Sequence, residues 1–206
     1  MTQKRSMILA SGGLKSTFLI GYCLREDEEV LLLFIDHDQA NLQRELEAVS
    51  AVAKHYDCEL RIDKVITPHG WPDFKLTYLW FHALMLAQQL ECHFVCDGIS
   101  RDDKRREAQL DYFDTLRLLV DKIQPEFSPS MHWIERLEIM APAIVLTEGK
   151  VIRLGTDLGV PWELTWSCER GTKIHCGRCS HCQRRKWGFQ RAKVEDPTTY
   201  RMRGLL

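Results

Sequence analysis

The chain has 206 residues, enough for one domain with a hydrophobic core of its own. Hydrophobic residues make up 45% and charged residues 28%, and the formal net charge is −1, which is ordinary for a soluble globular protein. No segment approaches the ~20 apolar residues of a membrane span, and the apolar run 7–10 is too short for a signal peptide. We therefore expect a cytoplasmic protein with no membrane partner.

Eight cysteines in a chain predicted to be cytoplasmic argue against disulfides, because that compartment keeps thiols reduced. Four of them cluster near the C-terminus. The other four are scattered among apolar residues: Cys23, Cys58, Cys92 and Cys96. We interpret these four as small hydrophobic side chains of the core.

The apolar residues follow strand and helix periodicities alternately along the chain. Strands are predicted at 6–11, 29–35, 58–65, 93–96 and 137–140, and helices at 16–25, 39–55, 77–90, 104–123, 147–158 and 181–192. Thr147 is a candidate N-cap. This order is typical of an α/β fold with a doubly wound, mostly parallel sheet, in which functional residues lie at the carboxyl ends of strands. We divide the chain into an α/β domain, 1–166, and a C-terminal metal-binding segment with a helix, 167–206, packed as one unit.

A glycine-rich segment directly follows the first predicted strand and opens the first predicted helix. Its residues are Ala10, Ser11, Gly12, Gly13, Leu14, Lys15, Ser16 and Thr17. Paired glycines allow a tight turn whose N–H groups approach an anion, and the helix start and the two hydroxyls add favourable partial charges. The segment predicts a phosphate or pyrophosphate cradle, although it is not a Walker A loop. The alternative is a turn that only ends an unrelated strand.

Four cysteines near the C-terminus have the spacing of a metal site: Cys168, Cys176, Cys179 and Cys182. Four thiolates can surround one tetrahedral zinc ion, and a closed shell of this kind leaves no open position for a water nucleophile, so the predicted role is structural. An iron–sulfur cluster is the alternative. We interpret His175 and His181, which lie within the cluster, as exposed polar residues of a loop.

Charge is concentrated in the same tail. Residues 168–206 contain ten Lys or Arg and three acids. Such a surface could contact an anionic partner, or it could be a solvated helix face or lie near a nucleotide. A second charged run, residues 101–106, follows Asp97 and Gly98. We take a solvated loop as its default interpretation and a loop beside the active site as the alternative.

Two further kinds of residue are candidates for ligand contacts. Asp36, at the end of the second predicted strand, either contacts a nucleotide or caps the next turn. Six tryptophans are present, and a ring beside the cysteine cluster could stack on a planar heterocycle. We favour Trp162 or Trp166 for that role.

Several segments together resemble the 7-cyano-7-deazaguanine synthase (QueC) family of PP-loop ATP pyrophosphatases. Ser-Gly-Gly-Leu-Lys-Ser-Thr at 11–17 resembles the family's Ser-Gly-Gly-x-Asp-Ser signature. The cysteine-rich tail, 167–185, is similar to the family's zinc segment and is the most specific part of the resemblance. Shorter likenesses lie at 34–39, 97–98 and 140–142. The resemblance therefore spans nearly the whole chain.

The resemblance implies an ATP-dependent ligase that adenylates 7-carboxy-7-deazaguanine, releases pyrophosphate into the glycine loop, and forms the amide and then the nitrile with ammonia. It implies a PP-loop α/β fold, a structural zinc ion, Mg²⁺ with ATP, and a homodimer. For ATP it implies residues 10–17 and Asp36. The implied catalytic residues are Lys15, Ser16, Glu148 and Lys150, and the implied substrate-binding residues are Asp97, Gly98, Arg101 and Trp166.

The chain departs from the family pattern at three places. Lys15 occupies the position of the signature's aspartate. The family's Lys-x-Glu pair appears as Glu148-Gly149-Lys150, with both charges reversed, and the family's Pro-Gly-Arg-Asn has no clear counterpart at 76–80. We hypothesise that Lys15 supplies a cation from the loop while Glu148 balances it or binds metal, since opposite charges ~4 Å apart attract by about 4 kcal/mol before desolvation. The alternative is that the change at Lys15 abolishes catalysis.

Three functional hypotheses follow. The first is an active synthase or a close variant, such as the QueC-like proteins of antiphage operons, in which the activated acyl group can pass to another acceptor such as a protein amine. The second is a degenerate subunit that binds nucleotide, a deazapurine or an operon partner. The third is contact between the basic tail and tRNA, which we do not expect.

Overall fold

The computed structural model describes residues 3–26, 28–66, 72–103, 106–123 and 136–201. These described residues contain five strands: β1 (Arg5–Leu9), β2 (Glu29–Asp36), β3 (Glu59–Lys64), β4 (Phe94–Cys96) and β5 (Glu138–Met140). Six α-helices accompany them: α1 (Leu14–Arg25), α2 (Leu42–Tyr56), α3 (Pro72–Gln89), α4 (Arg106–Ile123), α5 (Glu148–Asp157) and α6 (Ser180–Ala192). A 3-10 turn, Trp162–Leu164, precedes the cysteine-rich segment.

The five strands form one parallel sheet in the order β3-β2-β1-β4-β5. β2 pairs with one edge of β1, and β3 pairs with β2 on the same side. The chain then crosses back, so that β4 pairs with the other edge of β1 and β5 with β4. The order therefore reverses between β1 and β4, which is where ligands bind in open α/β sheets. This is the doubly wound parallel fold that the sequence predicts.

The sheet has a hydrophobic core on each face, because successive side chains of a strand point to opposite faces. On one face, β2 contributes Leu32 and Phe34 to a core that α1, α2, α5 and α6 cover. On the other face, Leu31 and Leu33 pack with residues of α3 and α4. β2 is buried on both sides, as its unbroken apolar run predicts.

The C-terminal helix is part of the first core. Phe189 of α6 packs there beside residues of α1 and α5. Gly149 and Gly188 bring α5 and α6 close together, because a β-carbon on Gly188 would lie 2.7 Å from Ile152 Cδ1 and one on Gly149 would lie 3.0 Å from Arg191 Cβ. Residues 180–192 are thus packed with the α/β domain, while the division at residue 166 stays a prediction.

The predicted elements are all present, with ends that differ by a few residues. Thr147 caps α5 as predicted, since its hydroxyl accepts a hydrogen bond from the Lys150 amide at 3.3 Å. The 3-10 turn was not predicted. Among the described residues, no helix is long and apolar enough to cross a membrane.

The scattered cysteines lie where small hydrophobic residues would. Cys23, Cys92 and Cys96 are buried and Cys58 is half-buried. Burial raises the pKa of Cys58 and of Cys92 to about 11, so both thiols stay protonated at neutral pH. Their interpretation as core residues is confirmed for the three buried thiols.

Candidate active site

The glycine-rich loop leaves the carboxyl end of β1 at the point where the strand order reverses. Asp97 and Gly98 leave the neighbouring strand β4 at the same edge. Gly98 packs directly on the loop, because a β-carbon there would lie 2.8 Å from the carbonyl carbon of Lys15 and 2.9 Å from the Ser16 nitrogen. Only glycine allows the two loops to approach this closely.

Gly12 holds the loop in a left-handed turn. Its φ is 68°, and a β-carbon would lie 2.7 Å from the Val49 nitrogen and 2.8 Å from Ala48 Cβ. Its carbonyl oxygen accepts a hydrogen bond of 2.8 Å from the Trp166 amide. The loop is therefore fixed between α2 and the segment that leads into the cysteine cluster.

The two hydroxyls of the loop point back to its own backbone. Ser16 Oγ donates to the Gly13 carbonyl oxygen at 3.2 Å, and Thr17 Oγ1 donates to the same oxygen at 2.8 Å. Both side chains are buried. In this conformation the two hydroxyls stabilise the first turn of α1, and their role toward a phosphate stays a prediction.

A cavity of about 350 Å³ lies over the loop. Its lining combines the loop, the end of β4 and the tail. The lining residues are Leu9, Ser11, Gly13, Leu14, Lys15, Ser16, Asn41, Glu45, Asp97, Gly98, Glu148, Trp166, Ser167, Glu169, His181 and Arg184. Five loop residues predicted to bind ATP thus border one cavity with Asp97, Gly98, Glu148 and Trp166, whereas Ala10, Gly12 and Thr17 lie behind it.

Four charged side chains form a continuous network beside this cavity. Lys15 Nζ lies 2.6 Å from Asp103 Oδ1, and Arg184 Nη1 lies 3.1 Å from the same oxygen. Arg184 Nε lies 3.2 Å from Glu148 Oε2. The order of contacts is therefore Lys15, Asp103, Arg184 and Glu148, with two positive and two negative groups that alternate.

This order corrects the hypothesis about Lys15. We expected Glu148 to balance Lys15, but the direct partner of Lys15 is Asp103 and that of Glu148 is Arg184. Glu148 is nevertheless close enough for Lys15 to oppose the rise that burial causes in the Glu148 pKa. The other part of the hypothesis, that Glu148 binds metal, stays a prediction.

The network shifts the ionisation of its acids. Burial acts to raise the pKa of Asp103, but Lys15, the Ser100 amide and Arg184 together hold it below its usual range. Burial raises the pKa of Glu148, opposed by Arg184 and Lys15. Burial also raises the pKa of Asp97 to about 6, although Lys15 opposes the change. Asp97 therefore titrates closer to neutrality than an ordinary aspartate does.

Two residues of the charged run after Gly98, Asp102 and Asp103, are held by hydrogen bonds near the cavity, so the default interpretation as a solvated loop is wrong for them. Asp102 Oδ2 accepts a hydrogen bond of 2.8 Å from the Glu148 amide at the start of α5. Asp103 Oδ2 accepts one of 2.7 Å from the Ser100 amide. Arg101 is exposed and does not line the cavity. Residues 104 and 105 and the side chain of residue 106 lie outside the described part.

Asp36 and Lys150 lie outside this cavity. Asp36 Oδ1 accepts a hydrogen bond of 3.0 Å from the Asp38 amide, so the turn-capping alternative describes its contact. Lys150 is exposed, two positions along α5 from the buried Glu148. No described contact supports its predicted catalytic role, which stays a prediction.

Trp166 and Trp162 have different environments. Trp166 borders the cavity, its Nε1 donates to the Cys168 carbonyl at 2.7 Å, and its ring lies 4.1 Å from the ring of His175. Trp162 is buried in the core, where its ring fills the space beside Gly155. Of the two, only Trp166 is placed to contact a ligand.

The four C-terminal cysteines converge as the sequence predicts. Their sulfur atoms all lie within 4.8 Å of one another, and Cys176 Sγ and Cys182 Sγ are 4.0 Å apart. Around one tetrahedral zinc ion, with Zn–S distances of ~2.3 Å, sulfur atoms are about 3.8 Å apart. The four thiols therefore fit a metal ion.

Backbone amides support this cluster. The Cys179 amide donates to Cys176 Sγ at 3.3 Å, and the Cys182 amide donates to Cys179 Sγ at 3.4 Å. Although burial opposes ionisation, the amides of Arg178 and Cys179 lower the pKa of Cys176 to about 6. A thiolate is thus favoured at the sulfur that would bind a cation.

The interpretation of His175 as an exposed polar residue is wrong. It is buried between the rings of Trp166 and Tyr200, and its Nε2 accepts a hydrogen bond of 3.1 Å from the Ser167 amide. Burial lowers its pKa to about 4, so the ring is neutral at pH 7. His181 is exposed, as predicted.

Two arginines of α6 were not singled out from the sequence. Arg184 belongs to the charge network, and Arg185 is fully buried, where it binds Asp196, Thr165 and the Trp162 carbonyl. The positive charge of the tail did not predict the position of either arginine, because a basic segment indicates an exposed surface and not a buried ion pair. The sequence did offer one indication for Arg184, which lies two residues after Cys182. A cysteine that binds a metal fixes the helix turn that follows it, and so it fixes the position of Arg184.

A family model described as Queuosine biosynthesis protein QueC matches residues 61–193, which include the four cysteines. The chain is 27% identical over 226 residues to the 7-cyano-7-deazaguanine synthase of Methanothrix thermoacetophila, covering 95% of this chain and 98% of that protein. It is 29% identical to the 7-cyano-7-deazaguanine synthase of Saccharophagus degradans, covering 97% of this chain and 99% of that protein.

Solved structures with the same fold share little sequence with the chain. The U34-tRNA thiolase NcsA from Methanococcus maripaludis, solved with its 4Fe–4S cluster, superposes with a TM-score of 0.53 at 14% identity, covering 91% of this chain and 63% of that one. NMN synthetase from Francisella tularensis gives a TM-score of 0.53 at 14% identity, covering 94% and 78%. These likenesses concern the fold alone.

Proposed function

Since the chain belongs to the family of the queuosine biosynthesis protein QueC, we propose that it is an ATP-dependent ligase that activates 7-carboxy-7-deazaguanine and forms its amide or nitrile. The observation that carries the proposal is the cavity at the switch point of the sheet, where a glycine loop and the cations Lys15 and Arg184 meet. Relatives that align over nearly their whole length are 7-cyano-7-deazaguanine synthases. We expect the enzyme to act in the cytoplasm as a homodimer.

In the first step a carboxylate oxygen of the substrate attacks the α-phosphorus of ATP, and the bond from that phosphorus to the bridging oxygen of pyrophosphate breaks. Negative charge grows on the leaving pyrophosphate. In this proposal the amides of Gly13 and Leu14, at the start of α1, and the Lys15 ammonium, all of which line the cavity, would stabilise that charge. Mg²⁺ would accompany ATP into the cavity, where Asp97 offers a carboxylate.

In the second step ammonia attacks the acyl carbon and AMP leaves, which yields the amide. For the nitrile, the amide oxygen would attack the α-phosphorus of a second ATP and release pyrophosphate. AMP that carries this oxygen would then leave as the carbon–nitrogen triple bond forms, and both amide protons would pass to a base or to water. Asp97, with a pKa of about 6, is a candidate to accept a proton from the attacking amine. Both steps require exclusion of water, because the acyl-adenylate would otherwise be hydrolysed.

A metal ion at the four cysteines would be structural in this proposal. The ligands would be Cys168, Cys176, Cys179 and Cys182. We propose zinc because their sulfur atoms lie within 4.8 Å of one another, which suits ligands of a single ion. Thiolates that bind separate iron atoms of a cluster must lie further apart. When bound, zinc would cross-link the tail and fix the first turn of α6, from which Arg184 extends.

The departure at Lys15 favours a second candidate for the acceptor. Lys15 holds the position of the family's aspartate, and Asp103 supplies a carboxylate beside it. With both charges present, the chain could retain adenylation and pass the acyl group to another nucleophile, such as a protein amine. A catalytically degenerate subunit that binds nucleotide or a partner is the remaining candidate. Each predicts a different product from the same reaction.

One experiment separates these candidates. The purified protein is incubated with labelled ATP, Mg²⁺, ammonia and 7-carboxy-7-deazaguanine, pyrophosphate is measured, and the products are identified by mass spectrometry. Pyrophosphate with the amide or nitrile supports the synthase. Release of pyrophosphate and AMP with recovery of the unchanged acid points to another acceptor. If addition of the substrate does not raise pyrophosphate above background, the proposed activity is contradicted.

A further inference from the structure

A second, larger cavity of about 670 Å³ lies beside the first one. Three residues line both cavities, namely Glu148, His181 and Arg184. The ion pair between Arg184 and Glu148 therefore forms a wall with the glycine loop on one side and the larger cavity on the other. A reaction that joins ATP to a second substrate requires adjacent sites of this kind.

One side of the larger cavity is a face of α6. Arg184, Trp187, Gly188 and Arg191 follow the helical repeat and all line the cavity. Gly188, at the centre of this face, is buried where α6 packs on α5, since a β-carbon there would lie 2.7 Å from Ile152 Cδ1. The face thus presents an aromatic ring between two guanidinium groups.

Trp187 is the exposed ring of this face. Its side chain is 59% exposed, and among the described residues its ring has no aromatic or cation–π contact. Trp166, which the sequence favours for stacking, differs because His175 and Arg44 already contact its ring, at 4.1 and 5.8 Å. A solvent-exposed indole that lines a cavity is suited to stacking on a planar ring.

The two arginines differ in the partners they already have. Arg184 Nη1 donates a hydrogen bond to Asp103 Oδ1, and Arg184 Nε lies 3.2 Å from Glu148 Oε2 in an ion pair. Among the described residues, no ion pair or hydrogen bond involves Nη2, which carries two N–H donors. Arg191 lines the cavity without an ion pair among the described residues. A carboxylate that enters the cavity meets Arg184 at the wall, where Asp103 and Glu148 already pair with it and Asp102 also lines the cavity. It meets Arg191 at the far end of the same face.

We infer that the larger cavity is the binding site of a planar heterocyclic carboxylic acid, with its ring on Trp187 and its carboxylate directed to Arg184. The inference rests on the proposed function, which requires an acid of this class next to the nucleotide. In this orientation the carboxylate is at the wall shared with the first cavity, where it faces the phosphates. Trp187 is then a substrate-binding residue, and Arg191 offers a second cation to polar groups on the ring.

The test measures binding without chemistry. Titration calorimetry follows 7-carboxy-7-deazaguanine, and separately 7-deazaguanine, into the full chain saturated with α,β-methylene-ATP. We expect Trp187→Ala to weaken binding of the acid about ten-fold or more, since stacking of one base on an aromatic ring is a strong contribution. Trp187→Phe should restore binding to within about three-fold, because it keeps an aromatic face. Tyr78→Ala, which removes another exposed ring from α3, is the matched control and should bind as the unchanged protein does.

The outcomes separate this inference from the proposed function. Equal affinity of the acid for Trp187→Ala and Tyr78→Ala, or no binding to the unchanged protein, overturns the inference even if pyrophosphate is released. Binding that depends on Trp187 without any pyrophosphate release supports the inference and contradicts the proposed activity. Affinity of α,β-methylene-ATP should be the same for all variants, and a loss confined to Trp187→Ala would mean that the ring serves the nucleotide and would overturn the inference.

Discussion

Lys15 and Asp103 form an ion pair beside the cavity over the glycine loop, with Lys15 Nζ 2.6 Å from Asp103 Oδ1. The lysine lies in the glycine loop after β1, and the aspartate lies in the loop after β4, 88 residues later. The pair places a carboxylate beside the loop even though the loop has a cation where its family has an acid. Charge at the site is thus rearranged rather than lost.

Replacing Asp103 by asparagine should destabilise the protein. The change leaves Lys15 and Arg184 without their shared anion in a mostly buried position, and we expect the free energy of unfolding to fall by about 1–3 kcal/mol. Urea denaturation at pH 7 measures this loss. Asp114→Asn, which removes an exposed ion pair with Arg117 on α4, is the control and should change stability by less than about 0.5 kcal/mol. Equal effects of the two changes would contradict the assigned importance of the network.

The same loss should depend on pH. The pKa of Asp103 is lowered in the folded protein, so its ionised form contributes stability that is fully present above the unfolded pKa of ~3.9. That contribution disappears as the pH falls through the folded pKa. The difference in unfolding free energy between the unchanged protein and Asp103→Asn should therefore be constant from pH 5 to 8 and shrink below pH ~4. A difference that grows on acidification would contradict the assignment.

Restoring the family's acid at Lys15 should weaken nucleotide binding rather than improve it. Lys15→Asp brings two carboxylates together beside phosphates, and we expect affinity for α,β-methylene-ATP to fall about ten-fold or more. The exchange Lys15→Asp/Asp103→Lys should recover part of that loss. In double-mutant cycles, coupling of Lys15 to Asp103 should exceed coupling of Lys15 to Glu148, because only the former pair is in contact. Additive effects for Lys15 and Asp103 would rule out the pair.

The sequence predicts the fold well because each element carries its own local pattern. The unbroken apolar run of β2 and the capped start of α5 are both recognisable from local sequence alone, without knowledge of tertiary contacts. The cysteine cluster is equally local, since Cys176, Cys179 and Cys182 lie within one turn and the start of a helix. The predicted loop and metal site therefore needed no knowledge of packing.

The charge network could not be predicted in the same way. Its four members come from four separate segments of the chain, and Asp103 and Arg184 are 81 residues apart. Residues 101–106 contain both signs of charge, a pattern that fits a solvated loop until packing places two of them inward. His175 was misjudged for a related reason, because its burial depends on contact with Tyr200 from the end of the chain.

Asp97 should cost stability at neutral pH. Burial raises its folded pKa to about 6, so between pH ~4 and 6 the folded protein retains a proton that the unfolded chain releases. Stability contributed by the protonated form is then lost as the pH rises. We expect Asp97→Asn to be more stable than the unchanged protein by about 2–3 kcal/mol at pH 7 and equal to it below pH ~4. Thermal denaturation across this range measures the difference, and destabilisation at pH 7 would contradict the raised pKa.

Gly12→Ala should damage the loop far more than a comparable change elsewhere. Its φ of 68° disfavours alanine, and the new β-carbon would lie 2.7 Å from the Val49 backbone nitrogen. Gly159→Ala has a similar φ of 72° with no atom within 4 Å, so it isolates the conformational cost of about 1–2 kcal/mol. We expect Gly12→Ala to lose more stability than this control and to lose nucleotide binding, as measured by calorimetry. Equal losses would mean that the loop can move away from α2.

Removing one cysteine of the cluster should release the metal and loosen α6. Cys179 is both a proposed ligand and the N-cap of that helix, so Cys179→Ser should lower metal content from one zinc per chain to less than about 0.2, with a lower melting temperature. Cys58→Ser, a half-buried thiol outside the cluster, should keep the metal. Elemental analysis of the purified protein gives the identity of the metal directly. Iron with sulfide in place of zinc would contradict the single-ion site, whereas zinc retained by Cys179→Ser would show that this sulfur is not a ligand.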